Sequence, residues 1–135
     1  MAFILDNSVV CGWILENQAT DYSAAIAKRL EQERALAPPL LQLEIVNVLR
    51  TACKRQIMIA SQAQALLAQL SLLPIEINAN PPEPGLLLAL ALRYELTSYD
   101  AVYLELALRM QLPIATQDAA LAEAARIAGV GVAVA

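Results

Sequence analysis

Two short apolar runs, AFIL near the N-terminus and LPIAT near the C-terminus, each lead to an aspartate that opens a helix-like segment. This order of strand, acid and helix restricts the chain to α/β architectures, in which the ends of the strands carry the chemistry. The two aspartates are Asp6 and Asp118. Asp100 begins a further helical segment, and Glu44 is embedded in the apolar stretch LLQLEIVNVL. Carboxylates repel one another and are costly to bury, so a fold that gathers four of them needs a reason. Binding a divalent cation is the simplest one.

The remaining pattern supports alternating elements. Residues 2–6 read as a buried strand, followed by helical VVCGWILEN and a more polar helix over about 21–34. Leu36 and Ala37 form a candidate short strand, and Pro38-Pro39 open a helix that runs to about Arg55. Ser61 is the expected N-cap of the next helix, SQAQALLAQLSLL. PIEIN at 74–78 alternates apolar and polar residues, as an edge strand does. NANPPEPG is the clearest loop, too short and too firmly embedded to divide the chain. Helices follow at about 85–95 and 98–111, then a strand at 113–116 and a helix over 118–128 with Gly129 as its C-cap. VGVAV is a candidate last strand. A mostly parallel sheet covered on both faces is expected, as one domain over residues 1–135.

The chain is 59% hydrophobic and 16% charged, which excludes disorder and, with leucine and alanine dominant, favours helices packed on a small sheet. Such an apolar excess suggests a surface shared with a partner; where that partner is a second copy, an apolar helical face within 24–36 or 60–73 is the place to look. The net charge of −4 argues globally against electrostatic binding to nucleic acid. Setting the four acids aside leaves nine acids against nine bases, and Arg50, Lys54 and Arg55 then form a basic cluster at the end of the Glu44 helix. A solvated helix end is the plainer reading of any one of them. Cys11 and Cys53 form no CxxC pair, so buried free thiols are expected rather than zinc ligands. The N-terminus lacks a basic n-region and Asp6 interrupts its apolar run, so no signal peptide is expected. The longest apolar run, Leu86 to Leu92, is too short to cross a bilayer, and a cytoplasmic protein is expected.

Each acid has a plain structural reading. Asp6 and Asp118 could cap the helices that follow them, and Asp100 could be a first-turn acid favoured by the helix dipole. Glu44 differs, because its helical neighbours Leu40, Leu41, Ile45 and Val48 are apolar. The chain contains no histidine, which removes the usual zinc and iron ligands and the commonest general base. An all-oxygen set suits Mg²⁺ or Mn²⁺, and the chemistry that follows is phosphodiester hydrolysis by a metal-activated water.

FILDNSVV, PPLLQLEIVNVLR and LTSYDAVYLELALRMQLPIATQD, in this order and spacing, resemble the PIN domain family, in particular the VapC-type toxin ribonucleases. The resemblance covers essentially the whole chain. Its acidic positions match Asp6, Glu44, Asp100 and Asp118, with Ser8, Asn47 and Thr116 in supporting places. It implies a three-layer α/β/α fold with a short parallel sheet, and a Mg²⁺- or Mn²⁺-dependent endoribonuclease acting on RNA. It also implies a homodimer and a small antitoxin partner that wraps an apolar groove. Asp6, Asp100 and Asp118 are expected to hold the principal ion, with Glu44 completing the set or orienting water. Asn7 stands where a smaller residue is commoner, and Ala119 and Ala120 follow the fourth acid where some relatives carry another.

Two other readings are open. A strand-end-aspartate phosphatase would need a second aspartate at position 8, which is serine, and a lysine near the phosphate. A catalytically inert PIN-like binding module would fail to bind divalent metal.

Overall fold

The computed structural model describes residues 1–135. Its centre is a four-stranded, fully parallel sheet of β1 (Ala2–Leu5), β2 (Arg34–Ala37), β3 (Ile75–Ile77) and β4 (Ile114–Ala115), in the order β3-β2-β1-β4. Every connection is therefore a helical crossover. Helices α1 (Asn7–Ile14), α2 (Asp21–Arg29), α3 (Leu40–Lys54) and α4 (Ala60–Leu70) pack among themselves. Helices α5 (Pro84–Tyr94), α6 (Ser98–Met110) and α7 (Ala119–Ala128) form a second group, with α6 lying against β1 and β4. Right-handed crossovers account for the division, because the chain moves from β1 to β3 in one direction and returns to β4 in the other. The result is the expected three-layer α/β/α fold.

The chain reverses direction between β1 and β4, so their carboxyl ends border the crevice where parallel sheets place ligands. Phe3, Ile4, Leu5, Val9, Tyr103, Leu104 and Ile114 form the fully buried centre of the core beneath it. Gly12 matters on the α1–α2 side, since a Cβ there would meet Ser23 Oγ at 2.5 Å. Its absence lets the two helices approach and lets Trp13 Nε1 donate to the Ser23 carbonyl at 2.6 Å. No helix is long and apolar enough to cross a membrane.

Several boundaries differ from expectation. The polar helix stops at Arg29 rather than 34, because the chain must enter the sheet. Arg34 pairs with Ala2, and Leu30 turns into the core, although KRLEQER is helical by propensity. The first helix ends at Ile14, and Glu16–Gln18 form a 3-10 turn. Helix α4 begins at Ala60 with Ile59 at its N-cap, so Ser61 is inside the helix. Gln62 Oε1 accepts from the Ile59 amide at 2.9 Å and supplies the stop that a serine was expected to give. VGVAV makes only one bridge, Val132 to Ile114, and does not extend into a strand. PIEIN is at the sheet edge as expected, and Gly129 ends α7 at φ 90°. Of the exposed large apolar side chains, five lie on α3 and α5, where Leu43 and Leu92 are 70% and 72% exposed. None lies within 24–36, and only Leu72 falls within 60–73.

Candidate active site

The crevice at the ends of β1 and β4 is built from hydroxyls around a buried carboxylate. Asp6 directly follows β1 and is 5% exposed. It occupies the N-cap position of α1 but makes no side-chain cap bond. Its Oδ2 instead accepts from Ser8 Oγ at 2.6 Å and Thr116 Oγ1 at 2.7 Å. Burial raises its pKa, opposed by these hydroxyls and by the Ser8 and Asn7 amides. Thr116 also accepts from the Asp118 amide at 3.0 Å, and so ties the end of β4 to that of β1. Asp118 caps α7 through Leu121 N at 2.8 Å, the plain role its position suggested, while still facing the other acids.

The opposite wall comes from α3 and α6. Glu44, half-buried, accepts a hydrogen bond from the phenol of Tyr103. Burial raises the Glu44 pKa, the Tyr103 bond lowers it, and Asp6 raises it further. Tyr103 is itself pushed far above the ordinary phenol range, so it is a permanent donor. Asp100 is at the third position of α6, whose N-cap Thr97 accepts from its amide at 3.1 Å. Its carboxylate accepts no hydrogen bond from any side chain, and its pKa rises from 3.8 to about 6. Burial is the largest cause, followed by repulsion from Asp118, Asp6 and Glu44. Asp118, Asp6 and Glu44 therefore lie within Coulomb reach of Asp100 around one crevice.

The supporting residues divide. Ser8 and Thr116 act on Asp6 as expected, whereas Asn47 is exposed on α3 and bonds to none of the acids. Three contributors were not expected. Tyr103 follows Asp100 by one helical turn, and that spacing is the signal that could have revealed it. Gln117 donates to Ser8 through its amide at 2.7 Å and through Nε2 to the Ser8 carbonyl at 3.0 Å, and its Oε1 accepts from Thr20. These two carry no sequence signal, because Thr20 and Gln117 meet only in the folded chain. Lys28 and Lys54 are both exposed, on α2 and at the end of α3, and contribute nothing to the crevice that a phosphatase would need.

No three of the carboxylates stand close enough to enclose a bare cation. Their donor chemistry nevertheless fits a hard divalent ion, which binds few carboxylates and keeps several waters. The four ion pairs of the molecule use Glu33, Glu76, Glu105 and Glu123, so no basic side chain neutralises the crevice. Asn7 Oδ1, one residue after Asp6, is buried without a partner, an oxygen that a hydrated ion could satisfy.

Comparison with known proteins agrees with this geometry. The PIN domain family model matches residues 3–127. Ribonuclease VapC12 of Mycobacterium tuberculosis, in strains CDC 1551 and H37Rv, is 30% identical over 120 residues, 89% of each chain. The crystal structure of PAE2754 from Pyrobaculum aerophilum superposes with a TM-score of 0.69 at 23% identity, over 92% of this chain and 79% of that one. With four acids from the strand ends and the flanking helices facing one crevice, a parallel sheet in this order and a family match over nearly its whole length, the chain belongs to the PIN domain family, among its VapC-type members.

Proposed function

We propose that residues 1–135 form a single PIN-like unit that is the toxin of a toxin–antitoxin pair, an endoribonuclease dependent on Mg²⁺ or Mn²⁺. The observation that carries this reading is the convergence of Asp6, Glu44, Asp100 and Asp118 with no protein cation among their partners. A bound divalent ion supplies an activated water and neutralises charge developing on phosphorus. Asp6, Asp100 and Asp118 are the residues to hold it, directly or through water. Ser8 and Thr116 fix the Asp6 carboxylate in one orientation, as hydrogen bonds to metal-binding groups generally do. Tyr103 does the same for Glu44, which completes the set or accepts a proton from water. Relatedness to a protein named as a ribonuclease supports RNA as substrate.

The surface offers a place for each partner in this reading. An apolar groove of about 310 Å³ between α3, α4 and β3, lined by Leu41, Ile45, Leu67 and Leu70, is the place we assign to the antitoxin. Leu88 and Leu92 of α5, 61% and 72% exposed, are the face we assign to a homodimer. The inert binding module remains the second reading, and the openness of the acid set favours it.

The test is cleavage of a mixed RNA pool by purified, antitoxin-free protein with Mg²⁺ or Mn²⁺ and then with EDTA. An Asp6→Asn/Asp100→Asn double variant excludes contaminating nuclease. Discrete cuts that need both metal and carboxylates are the expected result. No cutting and no metal binding by folded protein would establish the inert module instead.

A further inference from the structure

Arg55 of the basic cluster and the exposed Asn47 have no part in the acid crevice, yet both line one pocket, with Arg50 and Lys54 close by in the chain. Between the 3-10 turn and α3 is a pocket of about 230 Å³, with Leu15, Asn17 and Gln18 on one wall and Asn47, Thr51 and Arg55 on the other. On α3, Glu44, Val48, Thr51 and Arg55 recur at the spacing of a single helix face, so the pocket continues the stripe that begins at the catalytic acid. Asn47 is less than a turn from Glu44, and Arg55 is about 16 Å from Glu44 along the axis at 1.5 Å per residue.

The pocket has the chemistry of a reader. The side chains of Asn17, Gln18, Asn47 and Thr51 form no hydrogen bond within the protein, so their donors and acceptors are available to a ligand. Arg29, Arg34, Arg109 and Arg126 are each committed to an ion pair; of the five bases without one, Lys28 and Arg93 stand apart and Arg50, Lys54 and Arg55 fall together at the end of α3. Unpaired cations gathered here, in a chain of net charge −4, point to an anionic ligand. The wall also connects to the catalytic crevice. Two residues after Gln18, the Thr20 hydroxyl donates to Gln117, and Gln117 donates to Ser8, which holds Asp6.

We propose that this pocket is a nucleotide subsite for the RNA, resting on the ribonuclease reading above. One unstacked base beside the scissile phosphate enters it against the apolar Leu15 and Val48. Asn17, Gln18, Asn47 and Thr51 read the edge of that base, because amides pair with base edges through two hydrogen bonds. Arg55, with Arg50 and Lys54, holds the adjoining backbone phosphate, which contributes affinity but no sequence information. The volume suits one base, since pockets for larger ligands run from about 300 Å³ upward. The subsite therefore sets where along an RNA the acids cut.

Two measurements test it on the full chain, with thermal melts confirming that each variant is folded. The first is sequencing of cut sites in a randomised RNA pool. The second is RNA binding in EDTA across a salt series. Gln18→Ala/Asn47→Ala is expected to relax preference at one fixed position beside the cut, by about 5- to 100-fold in discrimination. Arg55→Ala is expected to raise KM with kcat little changed, and to reduce the log–log salt slope by about one. Unchanged preference, KM and slope, with wild type cutting normally, would overturn the subsite. So would variants that cut as wild type does but escape inhibition by the antitoxin, which would give the pocket to a polypeptide. Wild type that binds RNA through Arg55 yet never cuts would uphold the subsite and sink the nuclease reading alone. Wild type that fails to bind RNA would sink both.

Discussion

Helix α6 carries two carboxylates in opposite circumstances. Glu105, its side chain 7% exposed, is held by both arms of Arg109, with Nε at 3.1 Å and Nη2 at 2.7 Å. The same guanidinium reaches the Asn80 carbonyl at 3.2 Å and so joins the proline-rich loop to the helix. Asp100, less than two turns earlier, has three acids around it and no cation. The fold can evidently supply an arginine to an acid on this helix, and does so where the acid is structural. At the strand ends it leaves the charge unanswered. Electrostatic strain retained in a crevice is the mark of a site meant for something brought from outside.

That contrast can be broken most severely in activity. Asp100→Asn is expected to remove several kcal/mol of transition-state stabilisation, on the order of 1000-fold in kcat/KM. Metal-dependent RNA cleavage by a folded variant at wild-type rate would show that Asp100 is no more functional than Glu105.

Next is the structural end. Arg109→Ala strands Glu105 in a buried place and should lower unfolding stability by about 3 kcal/mol, read from urea titration. A loss under about 0.5 kcal/mol would mean that solvent already answers Glu105, and the comparison would lose its first half.

Tyr103→Phe is expected to reduce activity about 10- to 100-fold, the range for groups that orient a metal-binding side chain. It removes the donor that lowers the Glu44 pKa, so the acid limb of the pH–activity profile should also move upward. A fall in rate with no movement of that limb would assign Tyr103 to packing alone.

The smallest effect has the most diagnostic sign. The folded-state pKa of Asp100 is raised from 3.8 to about 6, so protonation favours the folded form. This contribution is fully present below about pH 4 and is lost as the pH rises through 6. In EDTA at pH 7, Asp100→Asn should therefore be more stable than wild type by on the order of 1 kcal/mol, after allowance for solvent screening of a half-buried group. The gain should vanish near pH 4. A variant less stable than wild type at pH 7 would show that Asp100 is satisfied within the protein.

The sequence was most legible where local chemistry decides the structure. Pro38-Pro39 and Gly129 mark a helix start and a helix end, and PIEIN shows its edge position by alternation. It was least legible where partners are distant in the chain. Arg34 is in a helix-forming run and becomes a strand because β1 is there to pair with it. The ends of α5 and α6 at Glu95 and Gln111, both with positive φ, fall where the sequence placed them although no glycine announces them. At the site, the four acids could be picked out from their positions after an apolar run, within one, or at the start of a helix. Tyr103 and Gln117 could not be assigned in the same way, since their roles depend on Glu44 and Ser8, 59 and 109 residues away.

The sequence alone therefore determined the kind of molecule: alternating apolar runs and amphipathic helices, an all-oxygen set of acids and the absence of histidine. These are properties of composition and of period, and each is complete within a short stretch of chain. The tertiary structure decided which acids are answered and which are not. It gave Glu105 an arginine, Asp6 two hydroxyls, Glu44 a phenol and Asp100 no side-chain donor. The physical reason is that burial and Coulomb interaction depend on distances in space, which strand order and helix packing set and local sequence does not encode.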